Sequence, residues 1–283
     1  MYSIFHFFKA LVENRSQFLS ISELEDFPFD TALLSCRNRG QFPDMAIRIS
    51  PDNDLFTGGE LIELKDSKSY TVPSFNSTIP TGKKEISKVI KAENSIIRKQ
   101  MEAAGDDPDS LPVRDVFYLI RGKKKGNTKI LLVHGSFFET VRIEDLISQS
   151  FSQVLEERLQ QSGLQVQDEL KNLLFSLFSE QENFSKVRTV NRASVKLRFR
   201  IMTEVKADGN ILNPKKYPEL IDNTLNIVLP HHTEADKSLT MKKMLSVFGK
   251  DRLERFKIFP IKHHFNGYFL VFQILLTEKT EKL

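Results

Sequence analysis

Ile4, Phe5, Phe8, Leu11 and Val12 recur at helical spacing, which predicts that the chain opens with a helix bearing one apolar face. A turn-rich passage over 20–28 follows. The texture then changes to short β-prone runs at 31–36, 45–49 and 60–65. They are separated by Arg37-Asn38-Arg39-Gly40 and by Pro51-Asp52-Asn53-Asp54 with Gly58-Gly59, so three successive strands are expected, two of them as a hairpin. Beyond a polar stretch, Ile86, Val89, Ile90, Ile97 and Met101 return to helical spacing, with Lys84, Lys88 and Lys91 on another face. This predicts an amphipathic helix with a basic side, ended by Pro108 and Pro112. Residues 115–120 and 129–135 read as two strands joined by the basic turn Lys123-Lys124-Lys125-Gly126-Asn127.

The second half begins with two helical patterns. Leu146, Ile147, Phe151, Val154, Leu155 and Leu159 mark one, and Val166, Leu170, Leu173, Leu174, Leu177 and Phe178 the other. Strands are expected again over 194–205, 224–229 and 268–276, with a helix over 239–248. The change of texture near 140–145 divides the chain into 1–143 and 144–283, and no repeat of period 20 to 50 is visible.

Composition narrows the class. At 283 residues, 40% hydrophobic and 28% charged, the chain can build a core without staples, and its 12 Gly and 11 Pro exclude collagen-like or low-complexity sequence. The one cysteine, Cys36, excludes an intramolecular disulfide and any cysteine-only metal cage. Neither a signal-peptide pattern nor a run of roughly 20 apolar residues is present, so a cytoplasmic protein without a membrane span is expected. The net charge of +4 permits a polyanionic partner without requiring one.

The candidate chemistry lies in the first pair of strands. Pro43-Asp44 stands at the entrance of one strand, and Glu63-Leu64-Lys65 closes the next. Because strand side chains alternate, Glu63 and Lys65 share one face while Ile62 and Leu64 point to the other, toward a core. If the strands pair, Asp44 comes alongside Glu63. Two converging carboxylates suit a hard divalent ion, and a lysine beside it can orient or help deprotonate water. The alternative is an exposed hairpin whose Glu63 and Lys65 are solvated edge charges. Similar strings occur at Pro51-Asp52, Pro108-Asp109, Asp66-Ser67-Lys68 and Glu204-Val205-Lys206. Only Asp44, Glu63 and Lys65 combine the order, the short gap and two apolar strands.

Pro43-Asp44 with Glu63-Leu64-Lys65 resembles the PD-(D/E)xK nuclease superfamily, and the succession of elements over roughly 1–135 is similar to that family's common core. The resemblance implies an α/β (α+β mixed) fold, a restriction-endonuclease-like mixed sheet flanked by helices, with a C-terminal α+β half. It implies Mg2+-dependent hydrolysis of phosphodiester bonds, with Asp44 and Glu63 as metal ligands and Lys65 as the catalytic lysine. The chain most resembles a type II restriction endonuclease, in which 1–143 would carry the catalytic core and 144–283 target recognition and dimer contacts. The partners implied are double-stranded DNA, a second copy of the chain and a cognate DNA methyltransferase encoded nearby. Two other readings stay open: a repair, junction or transposition nuclease of the same fold, and a non-catalytic nucleic-acid-binding protein.

Lys196, Arg198 and Arg200 alternate along one predicted strand and could meet phosphates or guanine edges, although any half-exposed strand looks the same. Lys123, Lys124 and Lys125 are a charged turn first and a phosphate-positioning loop only within the nuclease reading. Glu13 offers an extra acid on the opening helix, and Glu60 falls on the face opposite Glu63. The pairs His231-His232 and His263-His264 lack the helical spacing of a zinc hydrolase. Cys36 reads as a core or strand-end residue. No Walker A loop or G-x-G-x-x-G supports nucleotide chemistry.

Overall fold

The helical stripe at the start of the chain forms helix α1 (Ile4–Glu13), whose buried Ile4, Phe5, Phe7, Phe8, Leu11 and Val12 face a sheet. At about 1.5–3 kcal/mol for each large apolar side chain removed from water, this stripe outweighs the weak propensity of a β-branched and aromatic sequence for helix. The N-cap, Ser3, makes no side-chain capping bond. Instead the first helical N–H, on Ile4, donates to Glu60 Oε1 at 3.2 Å, from 56 residues further along the chain.

The structure is a computed structural model and describes residues 3–49, 58–76, 80–90, 95–139, 143–163, 167–170, 172–173, 202–203, 205–206 and 208–277. In chain order the strands are β1 (Leu34–Arg37), β2 (Met45–Ile47), β3 (Leu61–Ser67), β4 (Phe75–Asn76), β5 (Lys83–Glu85), β6 (Val113–Lys124), β7 (Asn127–His134), β8 (Met202–Thr203), β9 (Thr224–Pro230), β10 (Lys257–His263) and β11 (Gly267–Leu275). The remaining helices are α2 (Ile86–Val89), α3 (Ile96–Ala103), α4 (Ile143–Ser162), α5 (Glu234–Phe248) and α6 (Lys250–Leu253).

The chain divides into two compact units. Met1–Pro73, Pro80–Phe138 and Glu204–Leu283 form the larger, and Ser74–Ile79 with Glu139–Thr203 the smaller. The larger unit holds a nine-stranded mixed sheet in the order β1-β2-β3-β6-β7-β9-β11-β10, with β5 attached to β6. The β3–β6 and β7–β9 pairs are parallel and the others antiparallel. A parallel neighbour requires a crossover, and α2 and α3 lie in the one between β3 and β6. Strands from both sides of the expected 143/144 seam thus share one sheet, because β7 pairs directly with β9.

One face of this sheet is the main core. Ile62, Phe117, Leu119, Ile130, Leu132, Leu225, Ile227, Leu270 and Phe272 meet α1 and the α5–α6 region there, and Phe8 reaches Phe248 and Phe256 at 5.9 Å each. Cys36 and Ala46 lie on the opposite face by strand alternation. The Cys36 S–H donates to Gln100 Oε1 of α3 at 3.3 Å. The turn-rich 20–28 passage is fastened by Arg121, only 1% exposed, which donates to Ile21 O at 3.1 Å, to Ser22 O at 2.8 Å and to both carboxylate oxygens of Asp66.

Several elements differ from the sequence expectation. The single helix expected across 86–101 is two, α2 and α3, because Ile90 leaves the helical region at φ −110° and ψ 72°; Lys84 stands in β5. Helix α5 begins at Glu234 rather than Leu239, started by a capping box: Thr233 Oγ1 accepts the Asp236 N–H at 3.1 Å, and Asp236 Oδ2 accepts the Thr233 N–H at 2.8 Å. Strand β10 has no counterpart among the expected elements. It is an edge strand, where Pro260 is tolerated and most side chains stay in water. In the smaller unit, α4 spans the first of the two second-half helical patterns, and β4 pairs with β8. No helix among the described residues is long and apolar enough to cross a membrane.

Candidate active site

Strands β2 and β3 pair antiparallel, Met45 with Ile62 and Ala46 with Leu61, a register that carries Asp44 alongside Glu63. The link is direct: the Leu64 N–H donates to Asp44 Oδ2 at 2.8 Å, so the carboxylate at the entrance of β2 is held by the backbone of β3. Ile62 belongs to the core and Leu64 packs against it, leaving Glu63 and Lys65 on the other face, as alternation requires. Lys65 Nζ donates to Glu63 Oε1 at 2.9 Å, and the two side chains are only 14% and 13% exposed. A solvated edge pair would be far more open, so the edge-charge reading does not describe this hairpin.

Removal from water sets the electrostatics. Burial pushes the Asp44 carboxyl above its ordinary value, against the Leu64 N–H and Lys65, while Glu25 adds to the rise. Burial is also the chief reason that Glu63 is pushed up to about 7; Lys65 opposes the rise and Asp44 adds to it. Glu63 Oε2 is buried with no hydrogen-bond partner among the described residues. Two desolvated carboxylates pressed together, with one oxygen lacking a donor, form a donor set that suits a hard divalent cation. Asp44 and Glu63 are the residues that could hold one.

A cleft opens beside Asp44, lined by Glu25, Arg37, Asn38, Arg39 and Gly40 together with Met45 and Leu64. Sequence reasoning missed Glu25, Arg37 and Arg39 as site residues. In the sequence the two arginines register only as separators between strands, and Glu25 lies in a passage with no periodicity. Glu23, Glu25 and Asp66 also bring one carboxylate oxygen each within 4.8 Å of one another, but Asp66 is already engaged by Arg121.

The other candidates fall elsewhere. Glu13 pairs with Arg252 at 3.0 Å on the surface, and Glu60 caps α1 from the face opposite Glu63. Lys123 donates to Ile21 O at 3.0 Å, a packing role, whereas Lys124 and Lys125 are exposed in the β6–β7 turn. Asp109 is tied to Arg98 at 2.6 Å. His263 is buried in the β10–β11 hairpin, where its Nδ1 accepts the N–H groups of Phe265 and Asn266, and His231-His232 lead into α5. Cys36 is buried, and its thiol is pushed up to about 12, chiefly by burial. Pro51-Asp52, Glu204, Lys196, Arg198 and Arg200 lie outside the described residues.

No family model, curated protein or solved structure matches this chain.

Proposed function

We propose that this chain is a Mg2+-dependent, sequence-specific double-strand DNA endonuclease of the PD-(D/E)xK type, acting in restriction. The observation that carries the reading is the Leu64 N–H bond to Asp44, which joins the Pro43-Asp44 corner to the strand bearing Glu63 and Lys65. It is supported by the order of elements, in which α1, an antiparallel β1-β2-β3 meander, a helical crossover and a parallel β6 followed by antiparallel β7 reproduce the succession expected of that family.

Asp44 and Glu63 hold the metal in this reading. When bound, Mg2+ supplies positive charge against the negative charge that develops on the phosphate. Asp44 is oriented by the Leu64 amide and Glu63 by Lys65, so neither carboxylate needs to reorganise. The Lys65 ammonium, anchored on Glu63 Oε1, orients the attacking water. Low exposure keeps bulk water from screening these charges. A homodimer would bring two such sites to the two strands of a palindromic target. A methyltransferase encoded nearby would protect the host.

The test is digestion of supercoiled plasmid in Mg2+. Wild type is expected to give discrete fragments, and Asp44→Ala, Glu63→Gln and Lys65→Ala each to lose at least about 100-fold in rate while remaining folded by circular dichroism. Light scattering on a target-bound, uncut complex reads the stoichiometry. Cleavage at the wild-type rate by Asp44→Ala or Glu63→Gln would remove the assignment.

A further inference from the structure

The cleft beside Asp44 has two chemistries. Its lining holds the carboxyl groups of Asp44 and Glu25 beside Met45 and Leu64, and also Arg37 at the end of β1 with Asn38, Arg39 and Gly40 of the turn that follows. We propose that Arg37 and Arg39 are a phosphate-binding rim that grips the polynucleotide backbone beside Asp44. The proposal rests on the nuclease reading and assigns that site its grip on substrate.

Four observations carry it. Arg37 is held in place without being used up. Its Nη2 donates to Glu25 O at 2.7 Å and its guanidinium lies 5.3 Å from the Phe29 ring centroid, while a guanidinium has five N–H donors in all. Arg39 is 71% exposed, and its ion pair with Asp26 spans 3.8 Å between side chains open to solvent, a contact that a phosphate can displace. A third cation stands at the same turn, with Lys84 Nζ 4.7 Å from the Phe42 ring centroid. Finally, Gly40 has φ 77°, and a Cβ built on it would meet nothing within 4 Å, so the turn is open to solvent at that point.

Arg121 shows what a purely structural arginine looks like in this protein. It is 1% exposed and spends its donors on two backbone carbonyls and both oxygens of Asp66. Arg39 has the opposite character. Arginine also suits the task, because its planar fork matches two phosphate oxygens at once.

The experiment measures binding of the full chain to a fluorescein-labelled DNA duplex in EDTA, by anisotropy at a series of salt concentrations. No metal is loaded and no strand is cut. The variants are Arg39→Gln, Arg39→Lys and the double variant Arg37→Gln/Arg39→Gln. Each lost phosphate contact is expected to lower the slope of log K against log salt by about 0.9, so the double variant should lose about 1.8. Arg39→Lys should keep the wild-type slope because it keeps the charge. Arg39 is exposed enough that its variants test the rim even if the double variant fails to fold. A wild-type slope in Arg39→Gln, or in a folded double variant, would overturn the proposal, as would failure of wild type to bind the duplex at all. Plasmid cleavage in Mg2+ reads the nuclease assignment separately. Cleavage with unchanged slopes sinks the rim alone, and altered slopes without cleavage sink the nuclease reading while leaving a phosphate-binding turn.

Discussion

Glu60→Gln offers a sharp test of the electrostatics at the start of β3. Glu60 Oε1 accepts the first N–H of α1, but Oε2 is buried with no hydrogen-bond partner among the described residues. Burial pushes the carboxyl up to about 7 from an ordinary 4.5; the Ile4 N–H pulls the other way, Asp115 adds to the rise and Lys243 opposes it. Between these two values the folded protein binds a proton that the unfolded chain has released. The corresponding stability is complete below about pH 4.5 and is lost as pH climbs through 7. At about 1.4 kcal/mol per pH unit, the rise from 4.5 to about 7 amounts to at most roughly 3 kcal/mol.

Glutamine keeps the shape and an oxygen for the Ile4 N–H but does not titrate. Glu60→Gln should therefore match wild type near pH 4.5 and become more stable with rising pH, by up to about 3 kcal/mol near pH 8. Glu63 is also pushed up to about 7 and adds a parallel slope, which cancels in the difference between the two proteins. Urea denaturation at a series of pH values, followed by far-ultraviolet circular dichroism, measures that difference. A difference that stays flat from pH 4.5 to 8, or a variant that is less stable at pH 8, would refute the view of Glu60 as a carboxyl disfavoured by burial.

Two further outcomes are expected. Asp66→Asn strips Arg121 of its ionic partner at a side chain only 1% exposed, and should destabilise the protein by about 3 kcal/mol in urea denaturation and loosen the 20–28 passage to proteolysis. Cys36, with its thiol pushed up to about 12, should resist alkylation in the native protein at neutral pH and react fully in denaturant; rapid native labelling counted by mass spectrometry would contradict its burial.

Much of the candidate site is legible in the amino-acid sequence. A strand has a period of two, so Glu63-Leu64-Lys65 alone dictates that carboxylate and ammonium share a face while Ile62 and Leu64 turn to the core. The stripe from Ile4 to Val12 likewise dictates the buried side of α1. Periodicity orients a side chain on its own element; it does not say which distant element that face will meet. Residues 144–283 show the difference: β9, β10 and β11 extend the same sheet through the parallel β7–β9 pair, a choice of neighbour that no local pattern encodes. The capping of α1 by Glu60 and the locking of Arg121 onto Asp66 and the Ile21–Ser22 backbone span 56 and 55 or more residues. The edge strand β10 leaves only a short sequence signal, because the inward alternation is confined to Phe259, Ile261 and His263 and Pro260 interrupts the run of strand-forming residues. The convergence of Glu25, Arg37 and Arg39 on Asp44 has no local signature at all, since it depends on how the 20–28 passage and the β1–β2 turn pack around the hairpin.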